Sequence, residues 1–107
     1  MQIQLIERYR DEEDTCWHVG YGITVNGETV GYVDITADAD STYIERIDVN
    51  ENWRNQGVGA ATIEALVSMF RVVFAAPDNE DSQRLFERIG RETDKYPVCQ
   101  GFGVYIF

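Results

Sequence analysis

The segment Arg54-Asn55-Gln56-Gly57-Val58-Gly59-Ala60 combines one cation with small residues at the start of a predicted helix. The first amide groups of a helix have no acceptor within the helix, and the helix dipole adds partial positive charge there. Small residues let phosphate oxygens approach these amides, and the Arg54 guanidinium adds a forked set of donors. The segment therefore predicts a phosphate site. Taken alone, the two glycines are equally consistent with a tight turn and close helix packing.

Two common phosphate-binding motifs do not fit this segment. A P-loop ends in Gly-Lys-Ser/Thr, and that ending is absent. A dinucleotide-binding motif needs a third glycine and a βαβ start, whereas four strands are predicted before the segment. The phosphate site therefore belongs to another class.

The four strands are predicted over residues 2–9, 16–25, 28–36 and 42–49. Asn26-Gly27 is a strong hairpin signal because both residues tolerate positive φ. The acidic residues 11–14 are expected to form a solvated turn. Strict alternation in the fourth strand places Tyr43, Glu45, Ile47 and Val49 on one face and Ile44, Arg46 and Asp48 on the other.

The second half of the chain predicts alternating helices and strands. Val58, Thr62, Leu66 and Met69 recur at helical spacing, which indicates a helix over residues 57–70. An apolar strand over 72–76 follows, covered on both faces. A second helix is capped by Asp78 or Asn79, carries Leu85, Phe86 and Ile89 inward, and ends at Gly90; residues 98–107 form the last strand. This order predicts one α/β (α+β) domain over residues 1–107 with a mixed, mostly antiparallel sheet and two main helices.

Charge and composition limit the classes of function. Nine basic and nineteen acidic residues give a net charge of −10, which argues against binding to nucleic acid or anionic membranes. The charge favours cationic partners, although it also serves solubility. No four-ligand zinc set can be assembled from two cysteines and one histidine, so no metal is expected. Without a signal-peptide pattern or a long apolar run, a cytoplasmic location is expected.

Two blocks of the sequence resemble motifs of the GCN5-related N-acetyltransferase (GNAT) superfamily. Residues 54–59 match the motif A pattern Arg/Gln-x-x-Gly-x-Gly/Ala, directly after the fourth strand. Residues 79–90, Asn-Glu-Asp-Ser-Gln-Arg-Leu-Phe-Glu-Arg-Ile-Gly, resemble Asn-x-x-Ala-x-x-Leu-Tyr-Glu-Lys-Leu-Gly with the same spacing. The similarity is strong over residues 43–90 and general in strand order elsewhere.

The resemblance implies acetyl-CoA as co-substrate and no metal. The diphosphate would bind the amides of residues 56–60 together with Arg54, and the pantetheine arm would pair with the backbone of the fourth strand. Asn79 and Ser82 would flank the arm from the second helix. The implied coenzyme residues are Ile47, Asp48, Val49, Arg54, Asn55, Gln56, Gly57, Val58, Gly59, Ala60, Asn79 and Ser82.

The implied reaction is acetyl transfer from the thioester to an amine. Deprotonating a lysine-like amine near neutral pH costs roughly 4 kcal/mol, so a general base is expected to offset part of that cost. Glu45 is the first candidate because several family members carry a base on the fourth strand. Asp34 and Asp48 are weaker candidates, and Tyr43 is a polar neighbour.

Two departures from the family pattern bear on function. Phe86 stands where the family usually has a tyrosine whose hydroxyl protonates the departing thiolate; Tyr96 or Tyr105 are the alternative hydroxyls. The usual helices between the first two strands have room only in residues 10–15, which predicts an open acceptor face. Such a face suits a protein lysine, a protein N-terminus or another cationic amine on a basic protein, and a second copy in a homodimer could complete it.

Two rival functions remain open from the sequence. The first is a non-catalytic CoA-binding module that acts through protein interaction. The second is an inhibitor of a host protein from a phage or mobile element. His18, Cys16, Cys99 and Trp53 are interpreted as structural residues.

Overall fold

The structure is a computed structural model that describes residues 1–93 and 104–107. Its sheet has seven strands in the order β1-β2-β3-β4-β5-β7-β6. The strands are β1 (Ile3–Glu12), β2 (Trp17–Val25), β3 (Glu28–Ala37), β4 (Thr42–Val49), β5 (Val73–Ala75), β6 (Arg91–Thr93) and β7 (Val104–Ile106). The helices are α1 (Val58–Met69) and α2 (Glu80–Ile89), and a 3₁₀ turn covers Glu51–Trp53. The predictions for Tyr96 and Cys99 lie outside the described residues.

The predicted mixed α/β architecture is confirmed. Strands β1 to β4 form an antiparallel meander, and α1 carries the chain across to β5, which pairs parallel to β4. Asn26 and Gly27 have φ of 51° and 83°, as the predicted hairpin requires. Neither helix of the described residues is long and apolar enough to cross a membrane.

The core lies between one face of the sheet and α1. Alternate residues of β2 and β3 point to this face, and α1 covers it with residues three and four apart. The fully buried side chains include Val19, Ile23, Val33, Ile35, Val58, Ile63 and Leu66. Each contributes about 1.5–3 kcal/mol of burial free energy, so the core fixes α1 firmly on the sheet.

The structure differs from the sequence prediction at the strands β1, β5 and β6. Strand β1 continues to Glu12, so the acidic turn is confined to residues 13–16 and half of the predicted turn is paired with β2. Strand β5 has three residues, with Val73 and Ala75 buried. Strand β6 was not predicted, because its sequence Arg-Glu-Thr has no apolar pattern and pairs only with β7 at the sheet edge.

Strand β4 carries a β-bulge at Glu45. Ile44 pairs with Ile35 and Arg46 pairs with Asp34, so Glu45 has no partner of its own on β3. An extra residue in one strand shifts the alternation of every residue beyond it. The bulge therefore changes which side chains share a face.

The prediction that Glu45 and Ile47 share a face is wrong for this reason. Ile47 pairs with the buried Val33 and packs against the core, whereas the Glu45 carboxylate accepts a 2.8 Å hydrogen bond from Thr36 Oγ1 on the opposite face. Beyond the bulge the alternation is reversed. Ile44, Ile47 and Val49 face the core, and Tyr43, Glu45, Arg46 and Asp48 belong to the other face.

Strands β4 and β5 separate almost at once. Thr42 pairs with Val73 and Tyr43 with Phe74, and no further pair follows. Residues 44–49 of β4 therefore have no strand partner on that side among the described residues. This free edge leads directly to the turn before α1.

Candidate functional site

A cleft of about 750 Å³ opens where β4 separates from β5. Its walls are the end of β4, the turn and first residues of α1, and one face of α2. All of the predicted coenzyme residues except Gln56 line it. The lining residues are Ile47, Asp48, Val49, Trp53, Arg54, Asn55, Gly57, Val58, Gly59, Ala60, Asn79, Asp81, Ser82, Arg84, Leu85 and Arg88. The fold thus brings together two segments that are about twenty residues apart in sequence.

The N-terminus of α1 forms one end of the cleft. Gly57, its N-cap, has φ of 86° and provides no capping side chain. The amide of Ala61 donates to Gly57 O over 3.0 Å, so the amides of Val58, Gly59 and Ala60 precede the first i→i−4 hydrogen bond. These unpaired N–H groups carry the partial positive charge of the helix N-terminus, and such an arrangement can bind a phosphate.

The two glycines of this turn have different structural roles. A Cβ on Gly57 would meet nothing within 4 Å, so its positive φ is what requires glycine. A Cβ on Gly59 would lie 2.9 Å from Leu85 Cδ2, because α1 and α2 approach each other there. Gly59 therefore serves helix packing and also keeps the cleft open beside the helix N-terminus.

Arg54 lies at the same end of the cleft. Its Nε donates to Val49 O over 3.0 Å, which fixes the stem of the side chain to the end of β4. One Nη atom lies 4.0 Å from Asp48 Oδ1, and the side chain is 57% exposed. The guanidinium is therefore oriented but still accessible to an anion.

Helix α2 begins with a capping box. The Ser82 amide donates to Asn79 Oδ1 over 2.8 Å, and the Asn79 amide donates to Ser82 Oγ over 3.3 Å. The prediction that Asn79 caps the helix is confirmed. Both side chains also line the cleft, so capping and a coenzyme contact are compatible.

Four further residues of α2 line the cleft and were missed from the sequence. They are Asp81, Arg84, Leu85 and Arg88, which follow the spacing of one helix face. Arg84 forms an ion pair with Asp81. Together with Arg54, the two arginines give the cleft three cations against the two carboxylates Asp48 and Asp81, in a protein of net charge −10. Because Asn79 was already assigned to the site, the helical periodicity of the residues that follow it was the signal that could have identified these four residues.

The turn before α1 is fixed by contacts outside the cleft. Gln56 Nε2 donates to Asn52 O over 2.8 Å, and Gln56 does not line the cleft. Trp53 Nε1 donates to Glu28 Oε2 over 3.0 Å and its ring packs on the core, so its predicted anchoring role is confirmed.

Glu45 lies just past the last β4–β5 pair, at the bulge. Its side chain is exposed, and another carboxylate on the same sheet face, Asp34, accepts a 2.8 Å hydrogen bond from the Tyr9 hydroxyl. That hydrogen bond raises the pKa of Tyr9. Tyr43 packs on Phe74 with 5.1 Å between ring centroids. Glu45 lies two residues beyond Tyr43, the last residue of β4 that pairs with β5.

No described residue of the cleft lining is a tyrosine. Phe86 is buried between Tyr105 and Phe107, with ring centroids 6.2 and 5.3 Å away. The Tyr105 hydroxyl lies 3.5 Å from Glu87 Oε1, and burial, followed by the Glu87 carboxylate, raises the pKa of Tyr105. Tyr105 does not line the cleft, so the structure does not place it as the replacement for the missing hydroxyl.

The parallel strands β4 and β5 thus separate beside the N-terminus of α1, and the cleft lies between that N-terminus and α2. The family model of the GNAT acetyltransferases matches residues 1–90. The chain therefore belongs to the GNAT acetyltransferase family. No protein with a curated description matches it significantly.

Solved GNAT structures share the fold at low sequence identity. An acetyl-CoA-bound family member from Elizabethkingia anophelis superposes with a TM-score of 0.64 at 17% identity, over 84% of this chain and 75% of the other. The ribosomal-protein-S18-alanine N-acetyltransferase of Escherichia coli gives 0.61 at 20% identity, over 83% and 66%. The PaiA N-acetyltransferase of Thermoplasma acidophilum with coenzyme A gives 0.65 at 9% identity, over 83% and 59%. This chain thus spans about three fifths to three quarters of these relatives.

Proposed function

We propose that this protein is an acetyl-CoA-dependent N-acetyltransferase that acts on an exposed amine. One observation carries the proposal: the unpaired edge of β4 runs along a cleft that ends at the amides of Val58 to Ala60. An extended pantetheine arm can pair with that edge, and its diphosphate then reaches the helix N-terminus and Arg54. Coenzyme-bound relatives of the same fold support this assignment.

The acceptor that we propose is a lysine or N-terminal amine on a basic protein. Strands β1 and β2 are joined by residues 13–16 without a helix, and the face of the sheet that carries Glu45, Asp34 and Asp48 is exposed at Tyr9 and Tyr32. Such a face admits a segment of a protein more easily than it encloses a small molecule. The ribosomal-protein-alanine enzyme of the same fold is a precedent for a protein acceptor. A homodimer and a cytoplasmic location remain predictions.

In the proposed reaction the amine nitrogen attacks the thioester carbonyl. A C–N bond forms, the C–S bond breaks, and coenzyme A leaves as a thiolate. Glu45 accepts the proton that the amine must lose, which offsets part of the roughly 4 kcal/mol cost of deprotonation. A thiolate of ordinary pKa leaves near pH 7 at a cost of only about 2 kcal/mol, so a dedicated acid at position 86 is not essential.

A non-catalytic CoA-binding module is the second candidate, and Phe86 favours it. Binding and turnover can be measured together, by thermal shift with acetyl-CoA and by thiol release with a panel of lysine peptides, free N-terminal peptides and polyamines. Stabilisation with amine-dependent release supports the enzyme. Stabilisation without release from any amine supports the module, and the absence of stabilisation contradicts both.

Replacing Arg54 with alanine should weaken acetyl-CoA binding by about 10- to 100-fold, because a charge-assisted hydrogen bond to a phosphate contributes about 1.5–3 kcal/mol. Isothermal titration measures the change. Arg71→Ala, which removes an exposed arginine outside the cleft, is the matched control and should bind normally. Equal affinities of the two variants would place the diphosphate away from Arg54.

Removing Arg84 and Arg88 together should reveal which phosphate these cations bind. Coenzyme A also carries a 3′-phosphate, and with the diphosphate at α1 the arginines of α2 are available for that group. We expect the double alanine variant to lose about tenfold in affinity for coenzyme A but much less for 3′-dephospho-coenzyme A. An equal loss for both ligands would assign the arginines to the diphosphate instead.

A further inference from the structure

The turn between β1 and β2 brings together three different potential metal ligands. Glu13, Cys16 and His18 each offer one ligand atom, and these atoms lie within 4.8 Å of one another. Cys16 Sγ is 3.8 Å from Glu13 Oε2, and His18 Nε2 is 3.5 Å from Glu13 Oε1. The Glu13 amide donates to Cys16 O over 2.8 Å, so the backbone of the turn holds these side chains together.

These separations are close to those of a tetrahedral zinc site. Sulfur, nitrogen and oxygen ligands at about 2.0–2.3 Å from Zn²⁺ lie roughly 3.3–3.7 Å from each other. The distances of 3.5 and 3.8 Å run to the two different oxygens of Glu13. Ligand atoms as much as 4.8 Å apart would have to approach each other by about 1 Å to close on a cation. Thiolate, imidazole and carboxylate are also the three ligand types that zinc takes in proteins.

The hydrogen bonds of His18 prepare its Nε2 for a metal. Thr36 Oγ1 donates its only hydrogen to Glu45 Oε1, so it must accept the 2.8 Å hydrogen bond that it shares with His18 Nδ1. A proton then lies on Nδ1, so that in neutral His18 the lone pair of Nε2 is available to a metal. A second-shell partner that fixes tautomer and ring orientation in this way is typical of metal-binding histidines.

The charges of the turn also fit a divalent cation. A Glu13 carboxylate and a Cys16 thiolate together balance the charge of Zn²⁺, with His18 neutral. Three protein ligands leave a fourth position for water.

We propose that Glu13, Cys16 and His18 form a binding site for Zn²⁺ at the β1–β2 turn. The site is separate from the coenzyme cleft, since none of its residues lines that cleft. The proposal departs from two expectations from the sequence, namely that no metal binds and that Cys16 and His18 are structural residues. Cysteine and histidine alone are too few for zinc, and the carboxylate of Glu13 completes the set only through the geometry of the turn.

The test is a titration of the reduced, metal-free full chain with Co²⁺, followed by displacement with Zn²⁺. We expect a thiolate-to-cobalt charge-transfer band that saturates at one equivalent and disappears when zinc is added. Cys16→Ser should lose the band, and His18→Gln should weaken zinc binding by about 10- to 100-fold or more. Asp14→Asn and Cys99→Ser are the matched controls and should retain both signals.

Thr36 is a positioning residue in this proposal, and its variants test the second shell. Thr36→Val should weaken zinc binding by about tenfold, because valine lacks the hydroxyl. Thr36→Ser should bind zinc as the wild type does, because serine keeps the hydroxyl. A charge-transfer band that survives in Cys16→Ser would assign the thiolate ligand to Cys99, and equal zinc affinity in all variants would indicate binding by surface carboxylates. Either result would overturn the site. Acetyl-CoA binding should be the same with and without zinc, so failure here leaves the acetyltransferase proposal intact.

Discussion

Replacing Gly31 with alanine is expected to lower the free energy of unfolding by about 3 kcal/mol, the largest stability effect that we predict for a single methyl group. Gly31 pairs with Val49 at the end of β4, and its added Cβ would lie 2.3 Å from Asp48 O and 3.1 Å from Val49 Cα. Both contacts are with backbone, which cannot rotate away as a side chain does. Strand β4 must therefore move away from β3.

Gly22→Ala is the matched control for that variant. Gly22 is also in a strand interior, but its added Cβ would lie 3.6 Å from Arg8 Cδ, an ordinary contact. We expect this control to be neutral or to gain about 0.5–1 kcal/mol, because alanine restricts the unfolded chain more than glycine does. Thermal unfolding resolves the two variants, since 1 kcal/mol shifts the midpoint by about 4–8 °C in a domain of this size. Equal stabilities would show that β3 and β4 are less closely packed than the structure places them.

We expect the displacement of β4 in Gly31→Ala to extend to the proposed coenzyme cleft. Asp48 and Val49 line it, and Arg54 is fixed to Val49 O. Gly31→Ala should therefore weaken acetyl-CoA binding even under conditions where the variant remains folded. Gly22→Ala should not, because Gly22 has no contact with that end of β4.

Local signals in the sequence were sufficient for the turns and helix ends. Asn26 and Gly27 adopt the positive φ that their types favour, and Asn79 caps α2 with Ser82. These features depend on residues within four positions of each other. The turn before α1 is predictable for the same reason, because the left-handed Gly57 and the start of α1 are adjacent in the chain.

Features that depend on cross-strand register were not predictable. The bulge at Glu45 leaves only one sign in the sequence, the two polar residues between Ile44 and Ile47, and strict alternation therefore assigned Ile44 to the wrong face. The hydrogen bonds between His18 and Thr36 and between Thr36 and Glu45 connect β2, β3 and β4, and they depend on the same register. Arg84 and Arg88 were missed for a different reason, since exposed arginines on a helix are common and only the position of α2 beside α1 brings them to the cleft.

Replacing Glu45 with glutamine should reduce amine-dependent thiol release by about 100- to 10,000-fold and leave acetyl-CoA binding unchanged. The bulge presents the Glu45 carboxylate on the exposed sheet face, one residue beyond Ile44 and at the point where β4 loses its partner β5. An acyl group at the end of an arm paired with residues 47–49 would lie near this apex. Glutamine cannot accept the amine proton, but its carbonyl oxygen can still accept the hydrogen bond from Thr36.

Asp34→Asn is the competing variant, because Asp34 is another carboxylate on that face and asparagine can still accept the Tyr9 hydrogen bond. We expect a loss of less than tenfold from Asp34→Asn, since that carboxylate lies on β3 rather than at the free edge of β4. Steady-state kinetics with a lysine peptide, together with acetyl-CoA titration of both variants, separates chemistry from binding. A larger loss in Asp34→Asn would transfer the role of base to Asp34. Full turnover in Glu45→Gln would remove Glu45 from the mechanism and leave Asp34, Asp48 or solvent to accept the proton of the amine.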